Sequence, residues 1–112
     1  MTDPDHIISA LAALAQSHRL AAFRMLVEAG PEGLAAGVIA TRLDVAPSSL
    51  SFHLAQLERA GLVSTVRAGR SILYSADFAA MNALVGYLTE NCCGGGSCVS
   101  AADAATPERN AA

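Results

Sequence analysis

The stretch "NCCGGGSC" at residues 91–98 holds every cysteine of the chain: Cys92, Cys93 and Cys98. Three thiols this close admit a disulfide, a metal site or a redox switch. A bond between the neighbours Cys92 and Cys93 is disfavoured, because adjacent Cα atoms lie ~3.8 Å apart, below the ~4.4–6.8 Å of ordinary disulfides. An odd count also suits a disulfide framework poorly. Gly94, Gly95 and Gly96 free the backbone to fold back on itself, and closing so short a loop costs little entropy. One chain can thus present three sulfurs to one centre. Thiolates select soft ions. A closed zinc site wants four ligands, and only His6 or His18 offers a fourth. Trivalent arsenic or antimony needs three sulfurs in a pyramid, the stoichiometry that fits best. Methylarsenite (two sulfurs), cadmium, lead and thiol oxidation are the alternatives.

Small thiol enzymes, arsenate reductases among them, place the nucleophile at a helix N-terminus. Here the cysteines follow the end of a helical segment, and no Cys-x-x-Cys is present. A thiol enzyme or metallochaperone is therefore the weaker reading, and no catalytic residue is expected.

The elements that must position these thiols are legible from periodicity. "DHIISALAALAQ" carries Ile7, Ile8, Leu11, Leu14 and Ala15 at helical spacing, with Asp3 or Asp5 as a cap. "SHRLAAFRMLVEAG" runs from a Ser17 cap to a Gly30 stop, with Leu20, Phe23, Leu26 and Val27 as its inner stripe. "LAAGVIATRL" suits a short third helix built on Leu34, Val38, Ile39 and Leu43. Pro47 then opens a fourth, with Ser48 or a neighbour as cap, Leu50, Leu54 and Leu57 inward and Gly61 as the stop. "LVSTVR" and "SILYSA", joined by "AGR", alternate as a β-hairpin. "DFAAMNALVGYLTEN" returns to helical spacing through Phe78, Met81, Leu84, Val85 and Leu88. The expected fold is mainly α with a small β-hairpin, in the order α-α-α-α-β-β-α, which is a winged helix-turn-helix. Residues 1–91 form its domain, 92–98 the thiol segment, and 99–112 a low-complexity, disordered tail.

The 112 residues suffice for one domain. No run of ~18 apolar residues marks a membrane helix, and the acidic "MTDPDHIISA" is not a secretory signal. A cytoplasmic setting, where thiols stay reduced, is expected. The net charge of −3 is not that of a nucleic-acid binder as a whole. Its distribution differs: residues 42–75 set Arg42, Arg59, Arg67 and Arg70 against Asp44 and Glu58, the one cationic third. On the fourth helix, Ser48, Ser49, Ser51, Phe52, His53 and Gln56 lie on the solvent side near the N-terminus. Hydroxyls and a helix N-terminus suit phosphate, and Gln56 and His53 suit base edges. A serine-rich helix start is equally a plain solvated face; Arg67 and Arg70 at the hairpin tip tilt the balance towards double-stranded DNA.

"LDVAPSSLSFHLAQLERAGLV" followed by "STVRAGRSILYSA" resembles the DNA-binding core of the ArsR/SmtB family of metalloregulatory repressors. The motif residues are Ser51, His53, Leu54, Leu57, Ala60, Gly61, Leu62 and Val63, then Arg67, Gly69, Arg70 and Tyr74 in the wing. The likeness spans roughly residues 5–91. It implies a repressor bound to operator DNA as a homodimer, with the first and last helices at the interface. Ile7, Leu11, Leu14, Phe78, Met81, Leu84, Val85 and Leu88 would serve there, and intrachain core is their other reading. The family's arsenic-responsive members carry thiols on the third helix, where this chain has Ala35, Gly37 and Ala40. Zinc-responsive members use Asp and His on the last helix, and residues 77–91 hold no histidine. A Cys-Cys pair after the last helix with a third Cys beyond resembles a further arsenic-responsive pattern, implying Cys92, Cys93 and Cys98 as ligands of arsenite or antimonite as inducer.

Overall fold

A computed structural model describes residues 3–95, so Cys98 and the expected tail at 99–112 lie outside the described residues. Five helices and three strands follow one another as α1 (Pro4–Leu14), α2 (Ser17–Ala29), β1 (Leu34–Ala35), α3 (Ala36–Leu43), α4 (Pro47–Arg59), β2 (Val63–Ala68), β3 (Ser71–Ala76) and α5 (Phe78–Thr89), before a short 3₁₀ turn at Cys92–Gly95. The winged helix-turn-helix order expected from the sequence is present, with one addition. Leu34 and Ala35 leave the expected third helix and pair antiparallel with Tyr74 and Leu73, giving a three-stranded sheet in the order β1-β3-β2. Two residues are too few to show a period, so the pairing is visible only in three dimensions.

Leucines of α4 hold the centre. Leu50, Leu54 and Leu57 recur at helical spacing, are fully buried, and pack with Phe23 and Leu26 of α2, Ile39 of α3 and Leu62 at the foot of the wing. Two expected core positions face outward instead: Leu20 of α2 is 45% exposed and Val38 of α3 is 40% exposed. Each stands one residue outside the stripe its helix buries.

Helix ends explain the turns. Pro47 takes the first position of α4, where its missing N–H costs nothing. The other end of α4 closes on Gly61 at φ 80°, with Gly61 N–H donating to the Glu58 carbonyl and Leu62 N–H to the Leu57 carbonyl. That pair of bonds is a Schellman motif, which turns the chain directly into β2. Asp44, at φ 56°, ends α3 in the same manner and makes the tight turn between α3 and α4. The expected serine caps are replaced. Gln16 accepts from Arg19 N–H at 2.9 Å to cap α2, and no side chain caps α1 or α4. The two-residue turn Gly69–Arg70 closes the wing, with Gly69 at φ 63° in the corner that favours glycine.

Candidate nucleic-acid interface and thiol segment

With Leu50, Leu54 and Leu57 inward, a rotation of ~100° per residue sets Ser48, Phe52, Ala55 and Arg59 along the opposite face of α4. Ser48, Ser49 and Ser51 are exposed, and Phe52 is 58% exposed. The first intrahelical bond of α4 runs from Leu50 N–H to the Ala46 carbonyl at 2.9 Å. The amides of Ser48 and Ser49 thus precede it, as donors suited to an anion. Arg67 is the penultimate residue of β2 and Arg70 lies in the wing turn, both exposed.

Gln56 and His53 are half-buried. Gln56 lines a hollow between α1 and α4 with Ser9, Ala13, Arg19 and Arg59. His53 turns towards α2. Its Nδ1 lies 3.3 Å from Nη1 of Arg19, and its ring centroid lies 5.5 Å from that of His18. Burial, and then the Arg19 and His18 charges, hold the His53 imidazolium below the usual histidine range. Sequence reasoning gave Arg19 no role. Nothing in the spacing of "SHRL" relates it to residues thirty-four positions away. Arg59, in the last turn of α4, is an exposed cation whose place beside Gln56 no local pattern marks.

The eight apolar residues expected on a dimer surface divide. Ile7 and Leu84 are buried within the chain, and Leu14, Phe78 and Met81 pack against the core. Leu11, Val85 and Leu88 are exposed, and so is Ile8, at 62%. These four lie on α1 and α5, which pack on each other.

The thiol segment begins where α5 ends. Asn91 at φ 57°, Cys93 at φ 56° and Gly94 at φ 69° hold left-handed backbone in close succession, a geometry that costs ~1–2 kcal/mol for a non-glycine residue. Cys92 is half-buried, Cys93 is exposed and, against the expectation of three reduced thiols, disulfide-bonded, and the Cys92 and Cys93 sulfurs stand 4.0 Å apart. Among the described residues no three potential metal ligands gather; the third cysteine of the expected set is outside them. His18 is engaged in the ring contact with His53, and His6 sits beside Gly61 in the cleft between α1 and α5. At the third-helix positions, Ala35 lies in β1, Gly37 is exposed and Ala40 is buried, so that segment offers no ligand atom from these side chains.

A helix-turn-helix domain family matches residues 14–66. The transcriptional activator HlyU of Vibrio cholerae is 33% identical over 75 residues, which cover 67% of each chain. Among solved structures, an ArsR-like transcriptional regulator from Rhodococcus sp. RHA1 superposes with a TM-score of 0.70 at 30% identity, covering 87% of this chain and 89% of that one. The homodimeric winged helix-turn-helix DNA-binding domain of a Mycobacterium bovis protein gives 0.62 at 27% identity, covering 83% and 86%.

Proposed function

We propose, for a chain that belongs to the ArsR-like family of winged-helix transcriptional regulators, the part of a homodimeric repressor that leaves its operator when trivalent arsenic or antimony binds Cys92, Cys93 and Cys98. The family binds DNA and is not a family of enzymes. Two α4 helices in a dimer would enter successive major grooves at half-sites ~34–36 Å apart, with the wings on the flanking backbone. The observation that carries the inducer is the sulfur pair 4.0 Å apart at the end of α5, on the helix whose Val85 and Leu88 are exposed. With the Cys93 disulfide reduced, a metalloid gathering these sulfurs with that of Cys98 would draw the chain beyond α5 back onto the end of that helix. Any change in how α5 meets its partner then alters the spacing of the two α4 helices. A coupling of ~1–3 kcal/mol weakens DNA binding by about 5–150-fold.

The test uses a duplex selected by the chain from a random-sequence library. Arsenite should release it, with one arsenic bound per subunit. Cys92→Ser and Cys93→Ser should each stay bound at the same arsenite concentration. Release by both single variants would remove these thiols from the site. Release by cadmium or lead at lower concentration, by methylarsenite with Cys98→Ser intact in response, or by peroxide alone would reassign the inducer to those chemistries.

A further inference from the structure

Three hydrogen bonds meet on Arg19. Its Nε donates to the Ala13 carbonyl at 2.7 Å, near the end of α1. Its backbone N–H donates to Gln16 Oε1 and fixes the first turn of α2. Its Nη1 reaches Nδ1 of His53, in the middle of α4, at 3.3 Å. A guanidinium has donors only. The last contact is therefore a hydrogen bond only while Nδ1 carries no proton, and a neutral imidazole then bears its proton on Nε2.

We infer that Arg19 is a positioning residue for DNA recognition: it locks His53 in the Nε2–H tautomer through Nδ1 and ties the setting of α4 to α1 through Ala13. This rests on reading α4 as the recognition helix. The locked tautomer presents a donor, suited to a phosphate oxygen or to the acceptors of guanine. No hydrogen bond to Nε2 occurs among the described residues. Nε and Nη1 leave one rigid, planar fork, so a lysine cannot make both bonds.

The groups around His53 make the lock sensitive to protons. From α2 it faces Arg19 and His18. From α1 the adjoining hollow is lined by Ser9, Ala12 and Ala13, none of them charged, and from α4 itself by Arg59 and Gln56. Phe52, also of α4, meets the ring edge-on at 5.9 Å. The surroundings are cationic and hold no carboxylate. Protonation of Nδ1 sets a donor against a donor and a charge among like charges, so the lock opens as pH falls below the usual histidine range.

The test has two parts on the full chain. Imidazole ¹H–¹⁵N spectra of the free protein should show His53 as the Nε2–H tautomer at about pH 7.5, and a tautomer mixture in Arg19→Leu. An Nδ1–H tautomer in the native chain, or an unchanged tautomer in the variant, overturns the inference. The second part measures affinity for the selected duplex against a scrambled one. Arg19→Lys and Arg19→Leu should lose roughly tenfold in that ratio; should Arg19→Leu fail to melt cooperatively, Arg19→Lys carries both parts. His53→Asn keeps an acceptor near Nδ1 but cannot titrate. Having lost the Nε2 donor, it should show a lower ratio, and one that no longer declines as pH falls below the usual histidine range. Arginine variants that keep the native ratio and pH profile overturn the inference alone. A native chain that selects no duplex overturns the reading of α4 together with it.

Discussion

Gly33 shows how one residue can carry a constraint that no local pattern announces. It lies in the turn before β1 at φ 73°, and a Cβ built on it would overlap the Tyr74 carbonyl oxygen of β3. Left-handed backbone and a backbone clash act together there. Gly33→Ala should cost about 2–4 kcal/mol of stability, read as a lower urea midpoint with unchanged slope. Gly37 is the internal contrast. It sits in α3 with nothing within 4 Å of a built Cβ, so Gly37→Ala should stabilise by about 0.4–1 kcal/mol in the same measurement. From the sequence, Gly30 and Gly61 are recognisable as helix stops because each follows an apolar stripe. Gly33 is not, because the atom it must avoid belongs to a strand some forty residues on.

At the scale of elements, periodicity found every helix and the hairpin, because Leu50, Leu54, Leu57 and their like are spaced by the period of the element they bury. It failed where an element is too short to have a period, at Leu34–Ala35, and at stripe edges such as Leu20 and Val38, where neighbouring helices decide what is covered. The candidate site divides likewise. The exposed serines of α4 and the wing arginines follow from local pattern, whereas the Arg19–His53 contact joins two helices and leaves no trace in either. The wing supports its own prediction. Arg67 and Arg70 are exposed at the end of a hairpin and make no ion pair among the described residues, so their charges are available to phosphate. Arg67→Ala and Arg70→Ala should each weaken binding to selected and scrambled duplexes alike, and each should reduce the slope of log affinity against log salt by about 1. A variant that lost affinity for the selected duplex alone would place that arginine on a base.

At the scale of the whole molecule, the exposed apolar surface on α1 and α5 and the thiol segment are continuous through α5. Ile8, Leu11, Val85 and Leu88 stand outside the core on helices that pack on each other. Burying a side chain of this size contributes ~1.5–3 kcal/mol relative to exposure. In the proposed homodimer these four from each protomer would be covered where α5 meets its partner. Leu11→Asp combined with Leu88→Asp leaves the core untouched, since both residues are exposed in the single chain. The double variant should keep its cooperative melting, sediment as a monomer, and lose at least tenfold in affinity for the selected duplex, because one α4 helix replaces two. Its arsenic stoichiometry then separates two designs. With all three sulfurs supplied by one chain, as their spacing across Gly94–Gly96 allows, the monomer should still bind one arsenic per chain, measured by elemental analysis after gel filtration. Residual duplex binding by that monomer should not respond to arsenite if release acts through the α5 contact that the monomer lacks. A monomer that binds no arsenic would instead place ligands from both protomers on each ion, and a monomer whose DNA binding still falls with arsenite would route release through the chain itself rather than through the dimer.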